Sequence, residues 1–537
     1  MKTLFCVLLV IGFISAGVFA QPELDATFGS GGRSVVVSNF LAYADDIAIQ
    51  PDNKIILASS CRTMDSPLVP FCLARMNEDG TMDSTFKGGV PNTSFGGVFT
   101  SFAPMGSGSA RGIALQGDGK VIAVGSGPGA GSGQDVALIR YNADGSLDPS
   151  FGTGGIVFTL ITGVDDRAEK IVLQPDGKIL IVGTAGSMQF VARYLSDGTL
   201  DTSFGTGGMS TIPVAVGSSI ALQPDGKIVA GGAGGVGYLL IRLNSDGTPD
   251  TTWDGDGILS VPASGNLGLG FRSIGLQLDG RVVALGHGNI IYRFNADGSL
   301  DTSFDGDGSR QALNGTDKVP YSLMVSASGK ITVIGTGIPP ACSFGFPCPT
   351  PDLRYFTARY KQDGSLDTSF SGDGYLEIDV GVIISAGYNG GRTIAVDPIG
   401  RVVFAGVSSS CCIRTYWESP RFSAARLAAP PPRPVSVSGR VTDANGNGVS
   451  GVTVSTQGGL SARTTPFGFY TLNNVETNKT YIFSVRSKTD MAFGKRTILV
   501  DDQISGLDFV GEQLDSRTIR IDAPAPKSPG PSIRKLR

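Results

Sequence analysis

Seven aspartates recur in one setting along the chain: Asp25, Asp83, Asp148, Asp201, Asp250, Asp301 and Asp367. Carboxylates in such number invite chemistry. Acid pairs hydrolyse glycosidic bonds, and acids in glycine-rich loops such as WDGDG (253–257) and FDGDG (304–308) bring calcium to mind. Calcium loops, however, set their ligands in a fixed order and close with a bidentate acid, which these turns lack. Each Asp instead follows a strand arginine by about eight residues: Arg75, Arg140, Arg193, Arg242, Arg293 and Arg359, with Arg426 left over for Asp25. An aromatic always comes next, at Phe28, Phe86, Phe151, Phe204, Trp253, Phe304 and Phe370. A group present in every unit serves every unit alike. The acids therefore read as turn-capping partners of the arginines, and the aromatics as filling between units.

Other chemistry is thinly represented. His287, in LGHGN, is the sole histidine, and no G-x-S-x-G elbow accompanies it, so it reads as a structural or exposed residue. GSGPGAGSG (125–133) and GGAGGVG (231–237) lack the Lys-Ser/Thr and the helix of a phosphate cradle. The cysteine spacings fit no zinc site. No metal and no cofactor is expected. Among 47 acids no pair singles itself out for glycoside hydrolysis, which leaves a carboxylate enzyme acting on polysaccharide as the second reading of function.

The elements that carry these residues repeat. A hydrophobic run ends in a tight turn seven times: AIQPDNK, ALQGDGK, VLQPDGK, ALQPDGK, GLQLDGR, MVSASGK and AVDPIGR. A β-branched strand follows, then the strand with the Arg, then a turn such as NADGSLDTSF, then a short strand such as GGIVFT. Four strands per unit and seven units predict an all-β, seven-bladed β-propeller over 21–427, at roughly 58 residues per blade. The last unit stops at FSAARL (422–427) without its Asp turn, and LDATFGSGGRSVVVS (24–38) supplies the missing parts. The N-terminal strand is thus expected to complete the seventh blade and close the ring.

The pattern ALxPDGKIxxxG followed by ARYNxDGSLDxSFGxGG resembles the delta-60 repeat family of bacterial β-propellers over about 22–427. The sequence departs from it at Ser326-Ala327-Ser328 and at STFKGGVPNTSFGG, which duplicates the end of a turn. The resemblance implies a propeller and export, and no activity. After a Pro-rich linker (428–434), GRVTDANGNGVSGVTV and GFYTLNNV resemble the carboxypeptidase regulatory-like domain. That implies a small β-sandwich of about seven strands at 435–512, non-catalytic and accessory. A disordered tail is expected over 513–537.

Residues 1–20 read as a signal peptide: Lys2, an apolar run from Leu4 to Ile14, then Val18-Phe19-Ala20. The mature chain is expected outside the cytoplasm, secreted, at the cell surface or periplasmic. No later apolar run is long enough for a membrane helix, so no membrane insertion is expected. A net charge of −4 gives no footprint for nucleic acid.

Export gives weight to Cys61, Cys72, Cys342, Cys348, Cys411 and Cys412. Cys61–Cys72 and Cys342–Cys348 are expected to pair locally, and the adjacent Cys411 and Cys412 to form a strained bridge or to pair elsewhere. All six lie between the second and third strands of blades one, six and seven, where that connection is longest. Those loops form one arc on one face and carry Phe344, Phe346, Arg414, Tyr416 and Trp417. Two readings stand: long loops stapled for stability, or a platform for a glycan or protein ligand. The expected function is a non-catalytic binder or scaffold, with the polysaccharide enzyme and a purely structural spacer as alternatives.

Overall fold

The computed structural model describes residues 23–35, 40–41, 44–63, 70–86, 97–100, 107–129, 133–213, 215–235, 237–262, 270–315, 318–337, 354–379, 391–408, 421–487 and 491–513. The expected signal peptide and nearly all of the tail lie outside them. All regular elements among the described residues are strands, and no helix is long and apolar enough to cross a membrane. The chain divides into two compact units, with the main junction between Pro430 and Pro431.

In the first unit the described strands form seven four-stranded antiparallel sheets and one two-stranded ribbon, Phe40–Leu41 with Arg62–Thr63. Six sheets run in simple chain order. In the second sheet, for example, Ser109–Leu115, Val121–Pro128, Gln134–Tyr141 and Ile156–Thr159 lie side by side. The seventh draws on both ends of the unit: Arg33–Val35 pairs with Arg421–Arg426, which continues to Val402–Ser408 and Gly391–Val396. Its register puts Arg33 opposite Ala425 and Val35 opposite Ser423.

The apolar pattern explains the stacking. Middle strands such as Ile179–Ala185 are buried along their whole length, whereas outer ones such as Met209–Pro213 are half exposed. A strand covered on both faces reads as a continuous apolar run, which is how KILIVG and its counterparts are written. Accordingly, each hydrophobic cluster is shared by two sheets. Ile56, Ala58, Val121 and Ile139 join the first to the second, and Ile334 and Tyr355 meet Phe404 and Ala425 between the sixth and seventh. Leu57 and Ala74 of the first sheet pack with Val403 and Ala424 of the seventh.

The second unit holds two four-stranded sheets. One centres on Pro434–Asp443, which pairs antiparallel with Phe469–Glu476 and parallel with Phe509–Gln513. The other centres on Thr453–Thr456 and Lys479–Arg486. Val437, Val441, Val454, Leu472, Phe483 and Val500 are buried. Among the described residues eight strands are present there, where about seven were expected.

Candidate functional site

The recurring turn is a clamp between neighbouring sheets. In the second sheet the Arg140 Nε–H donates to Asp148 Oδ2 (2.7 Å), and the Lys120 ammonium from the turn between strands one and two lies 3.0 Å from the same oxygen. Asp148 Oδ1 accepts from the Ser150 amide (3.1 Å) and hydroxyl (2.8 Å). The guanidinium stacks on Phe151, 4.6 Å from the ring centre, and Nη1 donates to the Ser196 carbonyl of the third sheet (2.5 Å). The same set recurs around Arg75, Arg193 and Arg242; around Arg293 the contact with Asp301 is an ion pair at 2.8 Å, and Arg281 stands in place of the lysine. In the seventh sheet it joins the two ends of the unit: Arg426 binds Asp25, stacks on Phe28 and donates to the Glu78 carbonyl of the first sheet.

Electrostatics decides what these acids can do. Burial pushes the Asp148 carboxyl up, but the Ser150 bonds, Lys120 and the field of Arg140 outweigh it and hold the group well below the usual carboxylate range. Asp83, Asp201 and Asp250 are lowered in the same way, and Asp367 is held at about 2, against its burial, by Arg359, Ser369 and Lys330. A general acid for glycoside hydrolysis needs the opposite, a raised pKa. These carboxylates are spent on structure.

A second repeating position lies at the other edge of the sheets, beside the connection between strands two and three. Counting five residues back from the residue that opens the first turn gives Asp45, Arg111, Glu169, Ser218, Arg272, Tyr321 and Arg392. In six sheets the register slips there: between Ala110 and Gly112, Ala168 and Lys170, Gly217 and Ser219, Phe271 and Ser273, Pro320 and Ser322, and Gly391 and Thr393. Each slip is a β-bulge, which leaves one residue out of the ladder and re-aims its side chain. The bulge needs room. A Cβ at Gly125, Gly183, Gly232 or Gly335 on the second strand would overlap the carbonyl oxygen of Ser109, Arg167, Val216 or Val319. The first sheet has Ser59 at that place and runs without a slip, Asp46 opposite Ala58.

Residues at and beside this position converge. Arg392 of the seventh sheet donates to Asp45 of the first (2.5 Å). Asp46 accepts from the Ile113 amide of the second sheet (3.0 Å) and meets Lys170 of the third (2.8 Å). Arg272 of the fifth sheet stacks over Tyr321 of the sixth (4.7 Å) and donates through Nη2 to His287 Nδ1 (2.8 Å). Burial, then the charge of Arg272, lowers the His287 pKa to about 4, so the ring is neutral and accepts. His287 positions an arginine.

Of the residues expected to form a platform, Phe344, Phe346, Arg414, Tyr416 and Trp417 all lie outside the described residues, as do Cys342, Cys348, Cys411 and Cys412. Cys61 and Cys72 are joined by a disulfide with Cα atoms 5.5 Å apart, tying the end of Ile55–Ser60 to Phe71–Met76.

Six segments, 50–86, 116–151, 174–204, 223–252, 277–304 and 353–370, match the family model described as a domain of unknown function (DUF5122) beta-propeller. Their spacing follows the sheets one by one. The first unit has a β-propeller fold. Solved structures similar to the chain include the WD40 beta propeller domain of Doa1, at 12% identity and TM-score 0.42, covering 74% of this chain and 97% of that one. YCF48 bound to D1 peptide is 11% identical with TM-score 0.42, over 74% and 100%. Raptor of Chaetomium thermophilum is 10% identical with TM-score 0.43, over 73% and 28%. No curated protein matches the chain.

Sequence reasoning found the clamp of the propeller and missed its bulges. The signal was present: between flanks that repeat, one position changes from acid to base to hydroxyl to phenol. The propeller also holds a cavity of about 380 Å³ lined by Ile212, Pro213, Tyr238, Leu239 and Val261. Among the described residues its one ionisable side chain, the Tyr238 phenol, accepts from the Gly288 amide (3.1 Å).

Proposed function

We propose that this chain is an exported, non-catalytic binding or scaffolding protein that contacts a glycan or protein ligand through one face of its propeller. One observation carries the reading. The repeated polar groups are consumed in clamps at one edge of the sheets, while the residues that differ from sheet to sheet, Asp45, Arg111, Glu169, Ser218, Arg272, Tyr321 and Arg392, gather at the opposite edge. The strands that flank the long cysteine-bearing segments, Ile331–Gly337 with Arg354–Tyr360 and Val402–Ser408 with Arg421–Arg426, meet that edge. Variation on a constant scaffold suits recognition. In this reading the seven sheets are the blades of a closed ring, a delta-60 repeat propeller. Its closure is supported by Arg33–Val35 in the seventh sheet and by the cluster shared with the first. The second unit is a carboxypeptidase regulatory-like sandwich held as an accessory module.

The test is a glycan array and a protein capture screen on the purified protein, with product analysis on every glycan bound. Saturable binding without turnover is expected, weakened by Trp417→Ala with the melting temperature unchanged. Release of product would replace this reading with the carboxylate enzyme. Neither binding nor turnover would leave a spacer.

A further inference from the structure

Charge at the bulged edge of the propeller is unevenly matched. Arg392 is answered by Asp45 and Lys170 by Asp46, at 2.5 and 2.8 Å. Arg111 and Arg272 meet no carboxylate at ion-pair distance among the described residues. Arg272 is held instead by neutral groups, the His287 ring and the face of Tyr321. The Nε–H groups of both arginines are buried without an acceptor. A buried donor on a cation is costly to leave unpaired, and an anionic acceptor is its best partner.

These groups share one place. Lys170 belongs to the third sheet and Asp46 to the first, so their contact skips the second sheet, whose own Ile113 amide also reaches Asp46. Side chains from non-adjacent blades meet only near the axis on which innermost strands converge. Arg392 connects the halves: it holds Asp45, and its charge is felt by Arg272 two sheets away. Asp45 itself is pushed up by burial, against the fields of Arg392, Arg111 and Lys170. With Glu169 and the Arg167 that pairs with it (2.6 Å) included, five cations share this edge with three carboxylates, in a protein whose net charge is −4. A local field of opposite sign to the whole draws anions to that spot.

We propose that the axial mouth of the propeller, between Arg111, Arg272 and Arg392, binds an oxyanion group of the ligand: a carboxylate, sulfate or phosphate. Guanidinium groups suit all three, because their paired N–H donors match two oxygens at once. Asp45 is the internal competitor, occupying Arg392 until the ligand group arrives. The proposal deepens the reading of this face as a binding surface, and its test uses small ions, so that the two can fail separately.

The experiment titrates the full chain with sodium glucuronate, sodium sulfate and inorganic phosphate in separate calorimetric arms at constant ionic strength. Saturable millimolar or tighter binding of at least one ion is expected, and the arm that saturates names the chemistry. The double variant Arg111→Gln/Arg272→Gln should weaken it by at least about tenfold, whereas Arg463→Gln in the second unit should not. Asp45→Asn, which frees Arg392, should strengthen it. Should the double variant fail to fold, Asp45→Asn decides alone: unchanged or weaker binding overturns the site. So does the absence of saturation in all three arms, even if a glycan or protein ligand still binds the face.

Discussion

Replacing Asp148 by Asn removes one charge and no volume, and the geometry of the clamp sets the cost. The amide oxygen can keep both bonds from Ser150, now made to Asp148 Oδ1. The new amino group falls where Oδ2 accepted from Arg140 (2.7 Å) and faced Lys120 (3.0 Å), setting a donor against two donors. Lys120 is partly exposed and turns to solvent at a loss below about 1 kcal/mol. Arg140 is buried, and losing a charge-assisted bond costs roughly 1.5–3 kcal/mol, rising toward 3–5 kcal/mol when the remaining charge stays unpaired. Because Arg140 keeps its bond to the Ser196 carbonyl and its stacking on Phe151, about 3 kcal/mol is the expected loss for Asp148→Asn.

The control is Asp144→Asn in the same turn, where an exposed carboxylate caps only Ser146 and the loss should stay below about 1 kcal/mol. Guanidinium chloride unfolding of both variants, followed by intrinsic fluorescence, measures the difference. The pH dependence adds a sign. The folded pKa of Asp148 is depressed, so its contribution is complete above the ordinary carboxylate value near roughly 4 and is lost as pH falls below it. The gap between wild type and Asp148→Asn should therefore narrow in acid. Equal losses at neutral pH for Asp148→Asn and Asp144→Asn would refute the clamp.

Gly183→Ala should cost about 2–4 kcal/mol, because its Cβ overlaps the Arg167 carbonyl, while Gly117→Ala, with open space around it, should be near neutral; thermal melts compare them. Deleting residues 21–38 removes the outer strand of the seventh sheet together with Asp25 and Phe28, and should lower the melting temperature sharply; an unchanged melt would show that this strand is dispensable. His287 should titrate near its lowered value of about 4 in an NMR pH series, with the imidazole neutral at pH 6, and a midpoint near the ordinary 6.5 would separate it from Arg272.

The clamp was legible because it is written locally. Arg and Asp stand eight residues apart, the Asp caps its own turn, and the aromatic follows at a fixed offset. Trp253 could be assigned to the Phe position from that offset alone, and it is fully buried there. The partners supplied by other sheets were not legible. Nothing in the sequence near Arg140 names the Ser196 carbonyl, 56 residues on. The bulges were hidden for a different reason. One extra residue in a strand leaves the apolar pattern almost intact, and only its combination with a glycine on the facing strand, as in Glu169 and Gly183, marks the slip. Asp46 and Lys170 carry no local mark at all, because their meeting depends on where three sheets converge.

The bond from Arg426 to Asp25 spans 401 residues of chain, and that separation has a temporal side. At synthesis rates of about 5–20 residues per second, the segment around Asp25 waits roughly 20–80 seconds before the strand it pairs with exists. Throughout that interval six sheets can assemble in order, each on the one before, while Arg33–Val35 remains an unpaired strand with open hydrogen-bonding groups. The first and last strands of the unit then meet in one step, and the seventh sheet can form only after the strands of the other six have been made.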